Sequence, residues 1–206
     1  MRIATWNVNS VKQRAPLLLG WLDDRNPDVV CLQETKLADD AFDALLGADL
    51  AARGYEYASH GGAGRWNGVA ILSKAGIHEV ERHAPGLPRW DDSAEARFIA
   101  ALCGGLRIAS VYVPNGREPS SPHYAYKLEW LAGLRDWVAA DPGPTVVLGD
   151  VNVAPEDADV FDPSAFIGST HVTPDERAAI AARIDAGLRD VVRDRWPGER
   201  VFSYWD

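Results

Sequence analysis

Cysteine is scarce in this chain: 206 residues hold two, Cys31 and Cys103. That excludes a disulfide-stapled scaffold. Both lie in apolar, strand-like runs, which predicts buried reduced thiols and suits a cytoplasmic setting. No Cys/His spacing suggests zinc. No apolar stretch is long enough to span a membrane. The N-terminus, MRIATWNVNS, turns polar after a few residues and does not read as a signal peptide. Internal repeats, low-complexity tracts and linkers are missing too. Positive charge is also short, since the formal net charge is −9. That excludes wholesale coating of nucleic acid but leaves room for one local groove along a phosphate backbone. An acidic balance is also expected where carboxylates gather around a cation.

What is present is ordinary for a globular chain, with 47% apolar and 25% charged residues. The length predicts a single domain over 1–206. Strands are predicted at 1–6 and 28–33, with an amphipathic helix between them at 11–24, ended by Asn26-Pro27. A helix is predicted around 39–53, stopped by Gly54. Short strands follow at 55–60, 67–73, 77–82, 96–103 and 106–113. Helix 124–139 and strand 145–148 come next. A last helix at 173–185 opens with Thr173-Pro174-Asp175-Glu176, a capping box with proline at the first position. The alternation predicts two packed sheets with helices outside them.

The strand ends carry the chemistry. The first ends ATWNVN, with Asn7 and Asn9 two apart, and the second ends LQE, with Glu34 at its tip. SVYVPNG places Tyr112 near a strand end, with Asn115 and Gly116 in the turn. VVLGDVNVAP places Asp150 and Asn152 two apart, so an extended chain would point both to one side. Taken singly, the asparagines serve equally well as turn formers, and Tyr112 as a core aromatic. Taken together, four apolar strands each deliver an oxygen-bearing group at the same end. Oxygen ligands without His or Cys suit a hard cation such as Mg²⁺. No Ser or Cys shows a neighbouring base, so metal-assisted attack of water on a phosphodiester fits best.

The stretches TWNVNS, PDVVCLQETK, NGVAILSK, ARFIAA, YVPNG and GDVNVAP resemble, in order, the exonuclease III family of apurinic/apyrimidinic (AP) endonucleases, within the endonuclease/exonuclease/phosphatase superfamily. The resemblance implies a four-layer α/β sandwich of two packed, mostly antiparallel sheets flanked by helices (DNase I-like). It implies Mg²⁺- or Mn²⁺-dependent cleavage of double-stranded DNA at abasic sites and from 3′ ends, by a monomer without membrane association. By the same resemblance, Glu34 and Asn7 are metal ligands and Asp150 positions or deprotonates the attacking water. Asn152 donates to a phosphate oxygen, and Tyr112 bonds the phosphate or aids the leaving oxygen. DNA contacts are expected from Arg65, Asn67, Arg97, Asn115, Gly116 and Lys127. Tyr204 and Trp205, in VFSYWD, match the family's aromatic strand at the abasic-sugar pocket. His60, His78, His83, His123 and His171 match no ligand position and read as surface or turn residues.

Two further segments of the family pattern, an Arg-Ile-Asp-like strand and a Ser-Asp-His-like segment, are not found after VFSYWD. The expectation is a fragment whose C-terminal strands are missing and which alone is poorly active. LRDVVRDRWPGE also departs from the family, with Asp190-Val191-Val192-Arg193 where Asp-Thr-Phe-Arg is usual. Two other readings stay open: a superfamily phosphatase or phosphodiesterase acting on a small molecule or lipid, and a non-catalytic DNA-binding homologue. The Ala/Arg-rich composition hints at a GC-rich bacterial source.

Overall fold

The computed structural model describes residues 1–91, 95–141 and 143–203. They fall into two compact units. The first comprises Met1–Ala84, Arg89–Tyr112 and Pro142–Val151, the second Pro85–Pro88, Val113–Asp141 and Asn152–Asp206.

Two four-stranded sheets make up the core of the first unit. One holds β1 (Ile3–Asn7), β2 (Val29–Gln33), β3 (Glu56–His60) and β4 (Val69–Ser73) in the order β1-β2-β4-β3. The other holds β5 (His78–Glu81), β6 (Phe98–Cys103), β7 (Leu106–Tyr112) and β8 (Thr145–Asp150) in sequence order. The pairs β1-β2 and β7-β8 are parallel and the rest antiparallel. Both sheets are therefore mixed, with antiparallel pairing dominant, as expected.

Strand β2 explains why its sequence is apolar throughout. Val29 and Cys31 point into a cluster shared with Ile71, Ile99 and Ile108, which joins the two sheets. Val30 and Leu32 point the other way, against α1 (Val11–Arg25) and α2 (Asp39–Ala52). A strand covered on both faces cannot alternate apolar with polar. Leu18 and Leu22 of α1 and Phe42, Leu46 and Leu50 of α2 complete that second cluster. The two cysteines are buried free thiols, and burial pushes the Cys31 thiol up.

The second unit carries α3 (Pro122–Ala139), α4 (Pro174–Asp185) and α5 (Val191–Arg195). The capping box at α4 forms as its sequence predicts: Glu176 N–H donates to Thr173 Oγ1 at 3.2 Å, and Thr173 N–H donates to Glu176 Oε2 at 3.0 Å. Helix α5 leaves no periodic signal in the sequence, because five residues are too few to show one. Its cap is local, Asp190 accepting from Val192 N at 3.0 Å and Arg193 N at 2.8 Å. Residues 201–203 of the expected aromatic strand are outside any strand. Tyr204 and Trp205 lie outside the described residues. Among the described residues no helix is long and apolar enough to cross a membrane.

Candidate active site

In the first unit the parallel pairings bring strand ends together. Asn7 is the register partner of Gln33, and Tyr112 that of Asp150. The chain then leaves β2 abruptly, with Glu34 at φ +53°. Non-glycine residues are uncommon there, and such strain gathers at functional sites. Asn7 Nδ2 donates to Glu34 Oε1 and to Asp150 Oδ2, both at 2.8 Å. One amide thus joins a carboxylate from the end of each sheet. The Glu34 carboxyl is pushed up by burial. Hydrogen bonds from Asn7, Lys36 and Tyr112 and the Lys36 charge outweigh that and hold it below the ordinary Glu value. Lys36 Nζ sits 2.9 Å from Glu34 Oε2 and 2.5 Å from Asn9 Oδ1. The Tyr112 phenol is pushed up by burial and then by the Glu34 charge, so it stays protonated and acts as a donor.

Three predicted DNA contacts of this unit fare differently. Arg65 is exposed, its guanidinium 5.7 Å from the Trp66 ring. Arg97 pairs with Glu95 at 2.9 and 3.0 Å and lies over the Tyr112 ring at 4.7 Å. Asn67 donates to the same Glu95 at 3.0 Å. Arg97, paired with Glu95, thus braces Tyr112.

In the second unit Asn152 has φ +50°, so the expected extended alternation from Asp150 does not hold there. Asn152 Nδ2 donates to Val113 O at 2.9 Å, and its Oδ1 lies 3.2 Å from His171 Nε2. Asn115, exposed, presents Nδ2 to the same His171 nitrogen at 3.2 Å. Gly116 is buried at φ +89°, where a Cβ would press on the Lys127 side chain at 3.0 Å.

Lys127 was expected on the DNA-binding rim. It is instead fully buried, at 0% exposure, and forms an ion pair with Glu176, also at 0%. Its Nζ also donates to Asn152 O at 2.6 Å and to Asn115 O at 3.2 Å. A helical lysine reads as a surface charge from sequence, and only packing reveals that this one is a buried tie between two loops. His171, which reads from sequence as a surface or turn residue, is half-buried and lies against both asparagines.

A hard divalent cation suits the donor set of the first unit. Glu34 and Asp150 supply carboxylate oxygens, and Mg²⁺ commonly takes one or two of these beside waters and substrate phosphate. Among the described residues no three His, Cys, Asp or Glu side chains converge, as a dedicated protein cage would require. Asn7, the other expected ligand, accepts through Oδ1 from Asn9 N–H at 3.0 Å, and its nitrogen faces both carboxylates.

The chain matches the Endonuclease/Exonuclease/phosphatase family over residues 4–206. It is 28% identical to the exodeoxyribonuclease III of Haemophilus influenzae, covering 100% of this chain and 80% of the relative. The 3′ phosphatase NExo from Neisseria, solved with a product DNA hairpin, superposes with a TM-score of 0.92 at 36% identity, covering 100% of this chain and 79% of that one. An AP endonuclease from Archaeoglobus fulgidus gives a TM-score of 0.90 at 32% identity, with 100% and 78% covered. This chain spans 66% of the length of one curated relative and 80% of two others. Matched along its length in sequence, and in the two sheets that bring Glu34 and Asp150 to one amide, the chain belongs to the Endonuclease/Exonuclease/phosphatase family, on the branch of the exodeoxyribonuclease III and AP endonuclease nucleases.

Proposed function

We propose that the chain hydrolyses phosphodiester bonds of double-stranded DNA at abasic sites and from 3′ ends, as a repair nuclease using Mg²⁺ or Mn²⁺. The observation that carries this reading is the meeting of Glu34 and Asp150 at the Asn7 amide, each at 2.8 Å. When bound, the divalent ion would be held by the Glu34 and Asp150 carboxylates and would neutralise charge developing on the phosphate. Asp150 takes the proton of the attacking water as oxygen adds to phosphorus and the bond to the leaving oxygen breaks. Asn152 donates to a phosphate oxygen as charge builds there. Tyr112, held protonated, donates to the phosphate or the leaving oxygen. Arg65 and Asn115 remain the exposed candidates for backbone contacts, which position a duplex without reading sequence.

The test is single-turnover nicking of a duplex carrying one synthetic abasic site, with Mg²⁺, by the wild type, Asp150→Asn and Glu34→Gln. Each variant should lose about 10²–10⁴-fold in rate. Absence of nicking above the Asp150→Asn background would overturn the reading. A second reading, removal of 3′ phosphate from DNA, is favoured by the likeness to the Neisseria 3′ phosphatase. A 3′-phosphorylated primer in the same assay separates the two.

A further inference from the structure

His171 is held by more bonds than a surface turn residue needs. Its φ is +81°, a strained value for a residue with a side chain. Its carbonyl accepts from Ala154 N–H at 2.7 Å, and its own N–H donates to the buried Glu176 carboxylate. The ring edge meets Phe166 at 6.3 Å between centroids, and Nδ1 lies 2.9 Å from Thr170 Oγ1. The imidazole is thus fixed in position, and its Nε2 faces two asparagine amides.

Those amides are each anchored at their other end. Asn152 gives one N–H to Val113 O at 2.9 Å, and Asn115 Oδ1 accepts from Arg117 N–H at 3.1 Å. Nε2 lies 3.2 Å from Asn152 Oδ1 and 3.2 Å from Asn115 Nδ2. One ring nitrogen cannot donate to the first and accept from the second at once. The tautomer decides which amide is held, and the Thr170 hydroxyl serves either tautomer because it can donate or accept. An amide is planar. With Oδ1 on His171 and one N–H on Val113, the direction of the second Asn152 N–H is set.

We propose that His171 is a positioning residue for phosphate recognition: in the Nε2–H tautomer it aims the Asn152 amide, and in the opposite tautomer it aims the Asn115 amide. This rests on the reading above that Asn152 donates to a phosphate oxygen. The requirement is geometric, since misplacement of a positioned group by about 1 Å costs roughly 10²-fold in rate.

The experiment compares His171→Phe, which keeps a ring without hydrogen bonds, with His171→Gln, which returns an amide donor and acceptor. Single-turnover nicking and DNA affinity are measured separately with Mg²⁺ and abasic duplex. His171→Phe is expected to lose about 10–100-fold in rate with affinity changed by less than about threefold, and His171→Gln to regain at least about tenfold of it. In the ¹⁵N spectrum of the free proteins, the side-chain NH₂ signals of Asn152 and Asn115 should move in His171→Phe. Should His171→Phe not fold, His171→Ala replaces it. Wild-type rate in the variant lacking the hydrogen bonds, or equal loss in both variants with unmoved amide signals, would overturn the proposal. If the wild type itself does not nick DNA, the nuclease reading fails, and the amide signals alone then decide whether His171 sets the asparagines.

Discussion

At the scale of single residues, the most informative departure is Lys127. A lysine paired at 0% exposure with Glu176 carries a desolvation cost that its partner must offset. Lys127→Ala leaves Glu176 buried and unpaired, and should destabilise the chain by about 3–5 kcal/mol in urea unfolding. Were Lys127 a DNA contact, the same change would weaken binding and leave stability alone. Burial pushes the Glu176 carboxyl up, but the Lys127 hydrogen bond, bonds from His171 and Thr173 and the Lys127 charge bring it below its ordinary value. The unfolded chain therefore takes up this proton first, and stability rises with pH. The contribution is complete above the unfolded Glu value, about 4.3, and is lost as pH falls through the lower folded value. Wild type should lose more stability than Glu176→Gln between about pH 6 and 3. Arg183 presents the opposite case. It is 6% exposed, burial drives its pKa down to about 10, and its Nε and Nη2 find no partner among the described residues. Arg183→Met removes that unsatisfied group at similar volume and should raise stability by about 1–3 kcal/mol, read from the same urea transition.

At the scale of elements, strand ends decide where chemistry can happen. Asp150 reaches its place because Gly149 lets β8 lie tightly on β7. Gly149 has φ +146°, and a Cβ there would lie 2.0 Å from Val111 O. Gly149→Ala must therefore shift backbone against backbone, and should cost about 3 kcal/mol or more while displacing Asp150. Calorimetry together with the nicking rate checks both effects, and an unchanged midpoint would refute the argument. The helices α1 and α4 could be read from residues alone, because a period over four turns and a capping box are local signals. Helix α5 could not, and neither could the left-handed turns at Glu34 and Asn152. Those backbone angles are imposed by long-range bonds, such as Thr35 N–H to Gly68 O at 3.1 Å and Asn152 to Val113 O.

At the scale of the whole molecule, the charge of −9 bears on the proposed grip on DNA. Binding through a few local phosphate contacts should weaken with salt at a log–log slope of about −2 to −4, shallower than for a basic DNA-coating protein. A titration of abasic-duplex affinity against KCl checks this. Chelation of divalent ions should abolish nicking, with recovery on adding Mg²⁺ or Mn²⁺. Residues alone suffice for the alternation of strands and helices, the family pattern and the oxygen-rich strand tips, because each is a local order of side chains. Whether a charge faces solvent or a buried partner depends on which distant elements pack over it. That is why the burial of Lys127, the pairing of Arg97 with Glu95 and the asparagine contacts of His171 are visible only in the folded chain, and why Glu34 and Asp150, 116 positions apart by their numbers, meet through a third residue.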